Sequence, residues 1–249
     1  MSGHSKWATI KRKKAKIDAA RGVEFAKFSR EIMVATKLGG PDLNGNFRLR
    51  TAVDKAKAAG LPNDNIKRAI DKAAGAAANE NYEEMTYEGY GPAGVAIFIE
   101  ALTDNRNRTA GDIRSYFNRN NGNLGENGCV SWMFKQVGLI TVDSDVDNDK
   151  LFEDAINCGA QDFEQEEDEY KITTDPNELQ KITEELQKLG YKLKSYEVTR
   201  LPENLIQITD ETDAKYLLRL LENIENHDDV QNVYSNFDMD SELYEKLDN

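Results

Sequence analysis

Apolar residues over residues 1–75 recur at steps of three and four, the spacing that places them on one face of an α-helix. The first such pattern ends sharply at Gly39-Gly40-Pro41. A second runs from about Asn46 to Ala59, and Gly60 and Pro62 separate it from a third. The sequence therefore predicts three short amphipathic helices that pack as a small bundle.

After residue 81 the pattern changes to short apolar strands that alternate with amphipathic helices. The predicted strands are 95–102, 129–134, 139–142, 162–165, 169–173, 192–198, 204–209 and 230–237. The predicted helices are 109–120, 149–158, 176–189 and 213–226. A complete βαββαβ series thus lies between two βαβ halves, and each set matches a ferredoxin-like unit.

This order of elements predicts an α+β fold in which one ferredoxin-like domain is inserted in another. We expect a basic helical domain over 1–78, with a flexible arm before its first helix because residues 1–16 lack an apolar stripe. A discontinuous α+β domain is expected over 79–135 and 201–249, and an inserted α+β domain over 136–200.

Charge divides the chain along the same lines. Residues 1–72 hold 17 basic and 7 acidic side chains, net +10, whereas the remainder is net −23 in a chain of −13. Residues 137–200 alone carry 17 acidic and 7 basic side chains. Opposite fields of this size predict a basic module that binds a polyanion and acidic modules that avoid it. The alternative is a basic helix face that is only solvated.

The candidate nucleic-acid contacts begin in the arm, which has six positive side chains and no negative one. These are Lys6, Lys11, Arg12, Lys13, Lys14 and Lys16. Trp7 lies among them and either stacks on a base or anchors the arm to the bundle. Along the helices, the predicted surface continues through Lys27, Arg30, Arg48, Arg50 and Lys67.

The polar segment Thr103–Thr109 follows an apolar strand and opens a helix. Its Arg106 and Arg108 either hold a phosphate or base edge or pair with the protein's own carboxylates. Thr109 and Asp112 have the spacing of a capping box.

The sequence predicts no catalytic residues, no metal site and no cofactor. The two histidines are isolated, and Cys129 and Cys158 have no motif spacing, so we expect buried, inert thiols. The acidic loop Asp143–Asp149 imitates a calcium loop but has Asn148 where that loop needs glycine. No apolar run is long enough to cross a bilayer, and no secretory signal is present, so we expect a cytoplasmic protein.

Three segments resemble the YebC/PmpR family: Met1–Trp7 (Met-Ser-Gly-His-Ser-Lys-Trp), Thr103–Thr109 and Val130–Phe134 (Val-Ser-Trp-Met-Phe). Ser2 stands where the family usually has alanine. The resemblance implies a cytoplasmic bacterial protein of three domains, a transcriptional regulator that binds DNA and has no catalytic residues. It also implies an alternative, because mitochondrial relatives are translational activators and bacterial members have been linked to the ribosome.

The leading hypothesis is therefore a DNA-binding transcriptional regulator. The alternative is a translation factor that binds ribosomal RNA, and a third is a protein-interaction scaffold that docks through the acidic insert. The helices show no clear helix-turn-helix frame with base-reading side chains, which weakens sequence-specific reading of DNA. The sequence predicts no oligomeric state.

Overall fold

The structure is a computed structural model, and it describes residues 18–75, 81–166 and 168–247. The N-terminal helices are α1 (Asp18–Gly39), α2 (Phe47–Ala58) and α3 (Asn63–Ala74). Their shared core contains the apolar residues at the predicted spacing, namely Ile32, Ala35, Leu49, Val53, Ala56, Ile66 and Ala69. The predicted three-helix bundle is confirmed.

Asn46 fixes the turn between α1 and α2. Its side-chain oxygen accepts from the Leu49 amide at 3.0 Å, and its Nδ2 donates to the carbonyls of Ala35 and Gly40 at 2.8 Å. Gly39 leaves room for this buried amide, because a Cβ there would lie 2.6 Å from the Asn46 Nδ2. The end of one helix and the start of the next therefore depend on one side chain.

The second unit is a four-stranded antiparallel sheet covered by two helices on one face. Its strands are β1 (Glu83–Tyr90), β2 (Ala96–Thr103), β3 (Asn123–Leu124) and β9 (Val230–Ser235), in the order β3-β1-β2-β9. The covering helices are α4 (Arg106–Arg119) and α7 (Glu211–Glu225). Ile99, Phe117 and Leu221 are among the residues that fill the core between them.

The chain between the halves of this sheet forms a second four-stranded antiparallel sheet. It comprises β4 (Phe134–Asp143), α5 (Asn148–Cys158), β5 (Asp162–Gln165), β6 (Glu169–Thr174), α6 (Leu179–Lys188) and β7 (Leu193–Pro202). The strand order β5-β6-β4-β7 is that of a ferredoxin-like βαββαβ unit. The boundaries predicted at 78, 135 and 200 stay predictions.

The α+β class is confirmed, with an N-terminal helical region and antiparallel sheets. Three strand predictions need correction. The sequence analysis missed β1, whose first half is acidic and exposed. It placed 204–209 in the main sheet, whereas β8 (Ile206–Ile208) pairs in parallel with β10 (Phe237–Met239), ahead of α8 (Ser241–Leu247).

The strand predicted over 129–134 is also wrong, because Ser131–Met133 is a turn of 3-10 helix and β4 begins only at Phe134. The cause is Glu88 on β1, which is 3 % exposed. Its carboxylate accepts from the amides of Gly128, Val130 and Ser131, each at 2.8 Å. Amides bound to this carboxylate are not available to a strand ladder.

Candidate nucleic-acid interface

The arm that carries the leading candidates lies outside the described residues. This applies to Lys6, Trp7, Lys11, Arg12, Lys13, Lys14 and Lys16. The remaining candidates are all described, and they divide into side chains bound within the protein and side chains exposed to solvent.

Arg30 on α1 points into the protein, with 15 % of its side chain exposed. One guanidinium nitrogen donates to the carbonyls of Leu102 and Asp228 at 3.1 and 2.6 Å, and to a carboxylate oxygen of Asp229 at 2.9 Å. The guanidinium also lies over the Tyr82 ring, 4.8 Å from its centroid. Arg30 therefore joins the bundle to the second unit, and we remove it from the predicted surface.

Arg48 and Arg50 on α2 also bind the protein's own carboxylates. Arg48 donates to Glu31 at 2.8 Å and to Glu84 at 2.6 Å, and Arg50 donates to Glu184 on α6 at 2.7 Å. Burial alone would lower the pKa of Arg48, but these two carboxylates hold it above its usual value. The basic bundle thus docks on the acidic units through its own charges.

Lys27 and Lys55 extend what we call the docking seam, the cations of the bundle that pair with groups of the other two units. The Lys27 Nζ donates to the Glu225 carbonyl at the end of α7. Lys55 forms an ion pair with Glu197 on β7 at 2.6 Å. The seam cations are Lys27, Arg30, Arg48, Arg50 and Lys55.

A cleft of about 770 Å³ runs along the seam, between the bundle, β2, β9 and β7. Its lining includes the cations Lys27, Arg48, Lys55 and Arg200 and the carboxylates Glu24, Glu31, Glu84, Glu100, Glu197 and Glu225. Carboxylates outnumber cations here, so the cleft does not suit a phosphate chain.

Asp229 is the most heavily bonded carboxylate at the seam, and its side chain is 2 % exposed. Besides Arg30, it accepts from the hydroxyls of Thr103 and Thr109 at 3.1 and 2.6 Å and from Arg108 at 2.8 Å. Burial opposes its ionised form, but Thr109, Arg108 and Arg30 outweigh burial and lower the pKa of Asp229.

Much of the Thr103–Thr109 segment therefore serves to hold the Asp229 carboxylate, which we call the buried node. Arg108 pairs with Asp104 as well as Asp229, both at 2.8 Å, while Arg106 lies 3.6 Å from Glu83 and keeps 63 % of its side chain exposed. The predicted capping box is wrong. The Asn105 side chain caps α4 by accepting from the Arg108 amide, and Thr109 lies inside the helix.

Of the predicted contacts on the bundle, Lys67 alone faces solvent without a partner in the described part of the chain. Among the exposed cations of the bundle and α4 outside the predicted surface, Lys57, Arg68, Arg114 and Arg119 likewise have no ion-pair partner in the described part of the chain. Helical spacing relative to Ile66, Ile113 and Phe117 could have found three of them, because it places Arg68, Arg114 and Arg119 away from the buried faces of α3 and α4.

Trp132 is displayed on the surface with 67 % exposure, on the 3-10 turn held by Glu88. Its indole Nε1 donates to the Cys129 carbonyl at 3.1 Å, and the Tyr90 hydroxyl donates to the same carbonyl. Hydrogen bonds to backbone amides lower the pKa of Glu88 even though burial opposes this. A buried ionised carboxylate thus fixes an exposed aromatic ring.

The structure also bears on the metal site, the membrane span and the two thiols that the sequence analysis considered. Within 18–75, 81–166 and 168–247, no group of three or more His, Cys, Asp or Glu side chains is placed to hold a metal ion. Over the same ranges, no helix combines the length and the hydropathy of a membrane-spanning segment. Cys129 and Cys158 are only partly buried, short of full burial, and burial raises the pKa of both thiols.

Known proteins resemble this chain over its whole length. A probable transcriptional regulatory protein of Geobacter sulfurreducens is 52% identical, covering 99% of this chain and 100% of its own. One from Desulfotalea psychrophila is 52% identical over 99% of each chain. The crystal structure of a conserved hypothetical protein from Aquifex aeolicus matches with a TM-score of 0.81 and 46% identity, covering 91% of this chain and 94% of its own.

Two family models account for most of the sequence. The TACO1/YebC N-terminal domain matches residues 5–76, and the TACO1/YebC second and third domain matches residues 82–237. Together they span the bundle and both sheets. The chain belongs to the TACO1/YebC family.

Proposed function

We propose that this protein is a regulator that binds DNA through its basic N-terminal segment. The observation that carries the proposal is the separation of charge, net +10 over residues 1–72 and net −23 beyond them. Relatives that are about half identical over the full chain are named probable transcriptional regulatory proteins, which supports this function.

The docking seam indicates which cations are available for this function. The seam cations Arg30, Arg50 and Lys55 already hold carboxylates, so a polyanion would have to displace those partners. The six cations at 6–16 precede α1, and Lys57, Lys67 and Arg68 are exposed. Binding is therefore assigned to the arm together with α3 and the end of α2.

DNA binding over a salt series tests the proposal. The six cations of the arm alone should contribute about −5 to the slope of log affinity against log salt on duplex DNA. Replacing the lysines at 11, 13, 14 and 16 with glutamine should make the slope shallower by about 4. A slope near zero in the natural protein, or no change in the variant, would sink the proposal.

Ribosomal RNA is the alternative target, in a translation factor that uses the same arm. It is favoured by the outer face of α3, where Asp64 and Asp71 flank Arg68 at helical spacing. Such alternating charge is unlike a base-reading helix. Co-sedimentation with ribosomes at matched salt separates the two functions. Firm ribosome association with only nonspecific DNA binding would favour the RNA target.

A further inference from the structure

The outer face of α4 is basic and polar, although the chain as a whole is acidic. Helix α4 contains four arginines and one aspartate. Its buried side presents Thr109, Ile113 and Phe117 to the core. The opposite side, which we call the α4 face, consists of Asn107, Gly111, Arg114, Ser115, Asn118 and Arg119.

No carboxylate interrupts the α4 face. The single acidic residue of the helix, Asp112, lies at its border and is hydrogen-bonded to His227 at 3.2 Å. The arginines at the start of the helix lie near the carboxylates of Glu83, Asp104 and Asp229. Across the described ranges, Arg114 and Arg119 have neither an ion pair nor a hydrogen-bond partner. Their charges are therefore available to an external anion.

Gly111 at the centre of this face has no structural explanation. A Cβ at this position would meet no atom of the described residues within 4 Å, and the backbone is ordinary α-helix. Glycine inside an exposed helix destabilises it relative to alanine. By contrast, a Cβ at Gly122 would lie 2.9 Å from the Tyr90 carbonyl oxygen, so that glycine is required by packing. A missing side chain on an open face leaves space for a close-lying ligand backbone.

The face is also rigidly held. Asn105 caps the helix, and the Thr109 hydroxyl and Arg108 bind the buried Asp229 carboxylate. The same carboxylate binds Arg30 of α1. Helix α4 is thus fixed to α1, the first helix of the basic bundle. A polyanion bound to the α4 face would therefore also lie near the bundle.

We infer that the α4 face is a second nucleic-acid contact, which binds the phosphodiester backbone beside the basic N-terminal segment. Arginine forks pair with phosphate oxygens in a two-point geometry, and asparagine and serine side chains add hydrogen bonds to the backbone. Gly111 lets the sugar-phosphate chain approach the helix closely. The inference rests on the proposed nucleic-acid function and extends it from the arm into the second unit.

A charge-neutralising double variant, Arg114→Gln with Arg119→Gln, tests the contact. Short labelled duplexes of DNA and of RNA are the probes, each titrated over a salt series. Losing two phosphate contacts should weaken binding roughly tenfold and make the salt slope shallower by about 2. The matched control is Lys188→Gln with Lys192→Gln, which removes two exposed cations from the inserted unit and should change neither quantity.

A steric variant gives a readout that does not depend on charge. Gly111→Gln fills the open space with a helix-compatible side chain, so the protein should stay folded while binding weakens several-fold. Loss on the DNA probe alone or on the RNA probe alone supports the contact and identifies the polymer. Unchanged affinity and slope in both variants on both probes would overturn the inference. If the natural protein binds neither probe, the proposed function itself fails.

Discussion

Two sets of arginines in this molecule have the same charge and opposite surroundings. At the docking seam, Arg30 and Arg50 bind carboxylates of the other units, and Arg30 is almost enclosed. On the α4 face, Arg114 and Arg119 are exposed to solvent and have no partner among the residues that the structure describes. Net charge counted along the sequence treats the two sets alike. Only the partner of each side chain separates cations that stabilise the fold from cations left for a ligand.

The largest effect is expected where the seam is most buried. Asp229→Asn removes the negative charge that Arg30 and Arg108 share, and leaves polar groups under-satisfied in a site with 2 % exposure. Breaking a buried charge pair in this way should cost about 3–5 kcal/mol in the free energy of unfolding, measured by urea titration. Asp104→Asn also removes a partner of Arg108, but at 56% exposure, and should cost less than about 1 kcal/mol. Equal losses in the two variants would contradict the assignment of Asp229 as the buried node.

A smaller effect is expected at Glu88, a second buried carboxylate. Glu88→Gln places an amide donor against one of the amides of Gly128, Val130 and Ser131 that now point at the carboxylate. The free energy of unfolding should fall by about 1–3 kcal/mol, and the fluorescence of Trp132 should change in a protein that carries Trp7→Phe. Glu126→Gln, an exposed change in the same loop, is the control and should leave both signals unchanged.

Acid should weaken the docking seam, because the Asp229 carboxylate becomes protonated. The folded-state pKa of Asp229 is lowered, so its contribution to stability is complete above the unfolded value of about 3.9. That contribution is lost as the pH falls from there through the lower folded value. The difference in unfolding free energy between the natural protein and Asp229→Asn should therefore shrink below about pH 4. A difference that stays constant from neutral pH into acid would show that the ionised form is not what stabilises the node.

The smallest effect is a gain in stability. Gly111→Ala adds a helix-favouring residue where a Cβ meets nothing within 4 Å, so the free energy of unfolding should rise by about 0.5–1 kcal/mol. Thermal unfolding followed by circular dichroism measures this. A loss of stability would mean that Gly111 has a packing role and would remove it from the argument for the α4 face.

The bundle and the inserted ferredoxin-like unit could be predicted from the sequence because their apolar spacing is regular. The spacing around Ile32, Leu49 and Ile66 located all three helices, and each strand of the insert overlaps its predicted range. The strand β1 was missed because its first half is acidic and its buried Glu88 pairs with amides rather than with apolar neighbours. The alternation of apolar and polar residues along 129–134 resembles that of a strand, but amides of this segment bind Glu88 and not a neighbouring strand.

The role of each cation was harder to predict, because the carboxylate that binds it can lie far away in the sequence. Arg30 and Asp229 are 199 positions apart, and Arg50 and Glu184 are 134 apart. From the sequence, Arg108 could either hold a phosphate or base edge or pair with a carboxylate of the protein. In the structure its buried partner is Asp229. Arg114 and Arg119 lie on the helix after that turn, where only their spacing relative to Ile113 and Phe117 indicates that they are exposed.

The central claim is that nucleic acid is bound by the arm and by the exposed cations of the bundle and α4, and not by the docking seam. The most direct measurement is the salt slope of DNA binding for two variants with equal charge change, Arg114→Gln with Arg119→Gln and Arg48→Gln with Arg50→Gln. The account predicts a slope shallower by about 2 for the first variant and a slope unchanged for the second. Equal changes in both variants, or a change in the seam variant alone, would contradict it.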